Sequence, residues 1–300
     1  MTNASGRLTP LKPKTGTRPG KKINETDVPN YINNSEDKSE NSSISKADSS
    51  LFVGSVEKGF SVLHAFSRSR KPLSLTEIAS ETGMGKSAAQ RFCYTLVQLG
   101  FLERDESSRR MRPSAKLLEL SHTYLASNPI SSIAAPYLLQ ARENSGEAVN
   151  LALPMEQDVI YIARLSSSNS HILHPIVGGR APMFCTSSGR AYLSTQTPED
   201  IERILDASDL TPITRHTITD RAEILKRVDD VTINGYTTAC QECIVGELTI
   251  AAPIWGADGL GVGSVNICVT RPAWTEERVI DELAPIVCQT AHNISLALSN

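Results

Sequence analysis

The sequence predicts two folded units of different class: a mostly α winged helix-turn-helix near the N-terminus and a larger α+β domain behind it. Three observations carry this. Within residues 52–114, three short apolar-periodic segments run into a basic, turn-centred pair of strand-like pieces. From residue 129 onward, helical and strand-like stretches mix without a regular strand–helix–strand repeat, which excludes a doubly wound sheet. The charge divides at the same place: residues 51–115 carry a net +4, residues 116–300 a net −9. A small basic unit ahead of a large acidic one assigns any contact with nucleic acid to the first.

The elements follow in order. Residues 1–50 are rich in Asn, Ser, Lys, Glu, Pro and Gly and hold few large apolar side chains, so they predict a disordered tail. In "SVEKGFSVLHAFSRSRKP", Val56, Phe60, Leu63 and Phe66 recur at helical spacing, and Pro72 follows the break. "SLTEIASETG" opens on Ser74 and Glu77 as a capping box and closes on Gly83. "SAAQRFCYTLVQLG" repeats the pattern with Ser87 and Gln90, sets Phe92, Leu96 and Leu99 toward a core, and ends at Gly100. Phe101–Arg104 and Arg110–Pro113 then read as strands around a polar turn. Residues 115–128 form a linker helix ended near Asn128-Pro129. Residues 129–300 begin with a helix stopped at Gly146 and continue with the strands "AVNLALP", "DVIYIARL" and "SHILHPI". The helices "SSGRAYLST", "TPEDIERILDA" and "DRAEILKRVDDVTING" come next, then the strands "ELTIAAPIW" and "GVGSVNICVT", then a long final helix.

Several chemistries are excluded on spacing. "GMGKS" at 83–87 looks like the end of a nucleotide-binding loop. That loop needs G-x-x-x-x-G-K-[ST] between a strand and a helix. Position 80 is Ser80, and the preceding segment is a capped helix, so the stretch reads as an inter-helix turn. Cys240-x-x-Cys243 lacks a second ligand pair for zinc, and His171 and His174 would point to opposite faces of a strand, so no metal is expected. No G-x-S-x-G elbow is present, and the glycines of "GLGVGS" lie between strands. Nothing predicts an enzyme or a cofactor. No apolar run is long enough to span a membrane, and the N-terminus has no signal-peptide core, so a cytoplasmic protein is expected.

A DNA-reading face is better supported. The third helix presents Lys86, Ser87, Ala89, Gln90, Arg91 and Tyr94 away from its expected core stripe. Gln pairs with adenine and Arg with guanine, while Lys and Ser suit phosphates. Arg109, Arg110 and Arg112 place positive charge on the wing.

Residues 52–298 resemble the IclR family of bacterial transcriptional regulators. The resemblance rests on "GSVEKGFSVLHAF", "SLTEIASETGMGKSAAQRF" and "LVQLGFLERD", then "GGRAPMFCTSSGRAYLS", "LTPITRHTITD", "NGYTTACQECIVGELTIAAPI" and "GSVNICV". It implies a GAF/profilin-like effector-binding domain, assembly as a dimer or dimer of dimers, and control of a catabolic operon by a small organic acid. "LTPITRHTITD" and "SVNI" look closest to regulators of aromatic-acid catabolism. Partners are then double-stranded operator DNA, the acid and a second copy of the chain. Carried over by position, the effector would meet Leu173, Ser187, Ser188, Ala239, Glu247, Thr249, Asn266 and Cys268, with a carboxylate at the start of the "SSGRAYLS" helix. In "ACQE" only Glu242 of an acidic motif is kept, which implies a less anionic pocket edge. Two readings of other classes remain open: an enzyme acting on a small acid, or an interaction module with a degenerate helix-turn-helix.

Overall fold

The computed structural model describes residues 51–69, 71–167 and 177–299. The expected tail, the strand "SHILHPI" and Leu173 lie outside the described residues, as do His171 and His174.

The first unit begins with α1 (Gly54–Ser69), α2 (Leu75–Glu81) and α3 (Lys86–Gln98). Ser74 and Glu77 close the capping box of α2: the Ser74 N–H donates to Glu77 Oε2 at 2.7 Å and the Glu77 N–H to Ser74 Oγ at 3.3 Å. Gly83 takes the left-handed backbone (φ 64°) that turns the chain from α2 into α3. The second capping box does not form. Gly85 is the N-cap of α3 and Ser87 lies inside its first turn, because the helix starts two residues earlier than the capping pattern suggests. The wing is β1 (Leu102–Arg104) paired antiparallel with β2 (Met111–Pro113), and Leu73 bridges to Met111.

The core of this unit joins Val62, Ala65, Phe66, Ile78, Cys93 and Leu96 to Leu102 and Met111 of the wing. Two expected stripes are rotated. α3 buries Ala89, Cys93 and Leu96, while Leu99 is exposed. On α1, Val62, Ala65 and Phe66 face inward while Val56 and Phe60 are exposed. Ala65, Ala89 and Cys93 are small yet buried, so ranking positions by side-chain size misses them.

α4 (Leu117–Ser127) buries no residue of its own. It leads into α5 (Pro129–Ser145), which Asn128 caps by accepting from the Ile130 N–H. The second unit is a six-stranded antiparallel sheet in the order β5-β4-β3-β8-β7-β6. Its strands are β3 (Ala148–Met155), β4 (Asp158–Leu165), β5 (Arg180–Pro182), β6 (Thr237–Cys240), β7 (Glu247–Trp255) and β8 (Gly261–Thr270). β5 and β6 are additions to the strands expected from sequence.

Strand alternation splits the sheet into two faces. Val149, Leu151, Ile250, Val265 and Ile267 pack under α5 and the final helix α9 (Glu276–Leu298). The other face carries α6 (Ser187–Leu193), with α7 (Pro198–Asp206) and α8 (Arg221–Asn234) outside it. α6 lies directly on β7 and β8. Gly189 permits the approach of α6 to its own lead-in, since a Cβ there would lie 2.2 Å from Met183 Cα. Among the described residues no helix is long and apolar enough to cross a membrane.

Candidate functional site

In the first unit the outward face of α3 is built by helical periodicity. Lys86, Ser87, Gln90, Arg91 and Tyr94 are exposed on one side, opposite Ala89, Cys93 and Leu96. Ala89 is fully buried, so it cannot reach a base and leaves the expected contact set. Because Gly85 caps with no side chain, the first-turn N–H groups of α3 stay open toward Lys86, an arrangement that suits a phosphate.

The wing arginines divide by what holds them. Asp105 shapes the turn by accepting from the Ser108 N–H at 2.7 Å and from the hydroxyls of Ser107 and Ser108. Arg109 stands exposed at its end with a left-handed backbone (φ 56°). Arg110 is turned inward: it donates to Pro72 O at 2.8 Å and pairs with Glu77 at 2.9 Å, tying wing to α2. Hydrogen bonds with Ser74, and then with Arg110, hold the Glu77 carboxyl down to about 2. Arg112 pairs with Glu103 across the hairpin at 2.8 Å.

The second candidate is the α6 side of the sheet, where the residues between the apolar ones are polar. Register sets them in rows. Arg164 of β4 lies opposite Asn150 of β3, and Asn150 lies opposite Asn266 of β8. In the next row Cys268 of β8 faces Thr249 of β7, which faces Ala239 of β6. Sharing an inner face, these positions are set by period-two geometry. Both amide groups aim at one sulfur: Asn150 Nδ2 lies 3.2 Å and Asn266 Nδ2 3.3 Å from Cys268 Sγ. That leaves Asn150 Oδ1 and Asn266 Oδ1 buried with no donor among the described residues. Each such orphan costs about 1–3 kcal/mol.

α6 closes this face. Ser187 Oγ donates to Thr249 Oγ1 at 2.8 Å, and Ser188 stands by the buried Tyr161 phenol, whose pKa burial pushes up. Burial also pushes the Cys268 thiol well up, and Glu247 adds to it. Arg164 is the cation of the group: its charge bears on Cys268, Glu247 and Tyr161, while burial pulls its own pKa down. Asn150, Tyr161 and Arg164 were not expected from the sequence. The signal was present, since Asn150 and Arg164 are polar positions inside otherwise apolar strand segments, but facing depends on a register that one sequence does not print.

The expected carboxylate seat at the start of α6 is partly filled. The Thr186 hydroxyl accepts from the Gly189 N–H at 3.0 Å. Glu242 lines a cleft with His216, Arg227 and Cys240, but its charge is taken up inside the fold. It is buried in a two-pronged pair with fully buried Arg190 of α6, at 2.6 Å on each prong, and also accepts from the Ile218 N–H. That pair locks α6 to the loop after β6, so Glu242 adds no net negative charge to the ligand face.

A winged helix-turn-helix with an open recognition helix, joined to an α+β domain with a polar inner face, defines a ligand-sensing DNA-binding regulator. Residues 55–106 match the IclR helix-turn-helix domain, and residues 122–296 match the bacterial transcriptional regulator IclR C-terminal domain. The chain therefore belongs to the IclR family of bacterial transcriptional regulators, and is a regulator rather than an enzyme. It is 29% identical to the Pca regulon regulatory protein of Pseudomonas putida, over 81% of this chain and 83% of that one. It is 27% identical to the p-hydroxybenzoate hydroxylase transcriptional activator of Acinetobacter baylyi, over 81% and 91%. A solved transcriptional regulator from Rhodococcus sp. RHA1 superimposes with a TM-score of 0.72 at 29% identity, covering 83% of this chain and 99% of that one. An IclR homolog from Microbacterium hydrocarbonoxydans, solved in complex with 4-hydroxybenzoate, shares the fold at a TM-score of 0.68 and 23% identity, covering 81% and 98%.

Proposed function

We propose that this regulator controls a catabolic operon in the cytoplasm by sensing a small hydroxylated aromatic acid on the polar face beneath α6. The observation that carries the reading is the row Arg164–Asn150–Asn266. It sets a guanidinium, which suits a carboxylate, in line with two buried amide oxygens that find no donor among the described residues. A ligand with a carboxylate at one end and a hydroxyl at the other supplies both. Thr249, Ser187, Ser188, Ala239, Cys268 and Glu247 complete the walls. The names of the Pseudomonas and Acinetobacter relatives, and the 4-hydroxybenzoate held by the Microbacterium homolog, support this class of acid.

On the DNA side, Gln90 and Arg91 read bases, Lys86, Ser87 and Tyr94 hold the backbone, and Arg109 extends the contact from the wing. Arg110 and Arg112 shape the wing. Self-association supplies the second recognition helix: Val56 and Phe60 on α1, with Leu118, Leu120 and Tyr124 on α4, leave apolar surface uncovered in one chain. Calorimetric titration with 4-hydroxybenzoate tests the sensing role. Wild type should bind, and Asn266→Ala or Arg164→Gln should weaken binding roughly tenfold. Wild-type affinity in both variants would remove this row from the site.

A further inference from the structure

Beside the proposed ligand face, and not needed by it, two thiols approach each other across the fold. Cys185 directly precedes Thr186, the N-cap of α6; Cys243 lies on the loop between β6 and β7. Their sulfurs are 3.4 Å apart, and the Cys243 thiol also donates to the Cys185 carbonyl at 3.3 Å. The neighbouring residue Glu242 is anchored to Arg190 of α6, so the two segments are held together independently of the thiols. Cys185 is fully buried and Cys243 is half-buried, packed against the core on this side of the sheet. Cys240, the other half of the C-x-x-C spacing, takes no part in this contact.

We propose that Cys185 and Cys243 form a redox modification site, in which a peroxide-class oxidant joins them as a reversible disulfide that clamps α6 and weakens acid binding on the face below. The step balances. Cys243 sulfur attacks a peroxide oxygen, the O–O bond breaks, and Cys243 sulfenic acid and one water form. Cys185 sulfur then displaces the hydroxyl, and its thiol proton leaves with it as a second water. Two electrons pass from the sulfurs to the peroxide. A disulfide needs about 2.05 Å between sulfurs, so the start of α6 and the loop after β6 must draw together. Ser187, two residues from Cys185, would then lose its 2.8 Å contact with Thr249. The groups facing the Cys243 thiol are Cys185, Glu247 and Glu242; the hydrogen bond from Cys185, then burial, hold its pKa well above the ordinary value. Oxidation is therefore slow at neutral pH and faster in mild alkali.

The test uses full-length reduced protein treated with hydrogen peroxide at about pH 8, alkylated, digested and mapped by mass spectrometry. The expected result is a Cys185–Cys243 cross-linked peptide that dithiothreitol reverses and that is absent from Cys185→Ala and Cys243→Ser. Affinity for 4-hydroxybenzoate should fall at least about fivefold in the linked form. That second readout rests on the function proposed above, so hydrogen exchange at Ser187–Gly189 is followed in parallel. Slowed exchange supports the clamp even where no acid binds the reduced protein. Six thiols still open to alkylation, a Cys240–Cys243 link instead, unchanged exchange, or unchanged affinity in a reduced protein that does bind acid each overturns the proposal.

Discussion

The two working faces of this regulator are built in opposite ways. The face of α3 is an outside surface: its side chains project into solvent, and helical periodicity alone decides which ones. The face beneath α6 is an inside surface, assembled from β3, β4, β6, β7 and β8, where pairing register decides which side chains meet. An outside face tolerates change at little cost to the fold. An inside polar face carries orphaned acceptors and a buried ion pair, so stability and sensing are harder to separate.

The largest test of that difference is Glu242→Ala. It strands a fully buried Arg190, so the C-terminal domain should lose about 3–5 kcal/mol. Thermal denaturation should show that loss while the recognition helix keeps its operator affinity up to the transition. Next comes the outside face. Arg91→Ala and Gln90→Ala should each cost about 1–3 kcal/mol of discrimination, read by mobility shift on operator against scrambled DNA, with an unchanged melting temperature. If either variant unfolds the protein, the contrast between an outside and an inside face is lost.

A smaller effect separates the wing arginines. Arg109→Ala should weaken DNA binding and flatten its salt dependence by about one phosphate contact. Arg112→Ala removes an exposed pair with Glu103, for which stability should change by less than about 1 kcal/mol. Smallest is the pH response of the α2 cap. The Glu77 carboxyl is held near 2, below its ordinary 4.5. Its contribution is therefore fully present above about 4.5 and lost as pH falls through the folded value. NMR titration of the Ser74 and Glu77 amides should show the cap intact at mildly acidic pH, and Glu77→Gln should abolish the acid step.

The same contrast explains what could be read from sequence. The helices, the Ser74–Glu77 box and the outward set Lys86, Gln90, Arg91 and Tyr94 follow from local periodicity. Ala89 was misplaced because it is small yet fully buried, and size-based patterning sees a gap there. Ser187, Ser188, Thr249, Asn266 and Cys268 came from family resemblance, and the structure sets Ser187 of α6 on Thr249 and Asn266 beside Cys268. Asn150 and Arg164 join them through strand pairings more than a hundred residues apart in the case of Asn150 and Asn266. No local pattern encodes that pairing. The pairing of Glu242 with Arg190, 52 residues away, is likewise encoded in no local pattern.

The central claim is that the inside face governs the outside one, and operator affinity with and without acid tests it directly. In wild type, saturating 4-hydroxybenzoate should shift operator affinity by roughly 5- to 150-fold. In Arg164→Gln, operator affinity without acid should match wild type, and the same shift should need about tenfold more acid. A variant that still responds as wild type does, or that loses operator binding outright, would contradict the account.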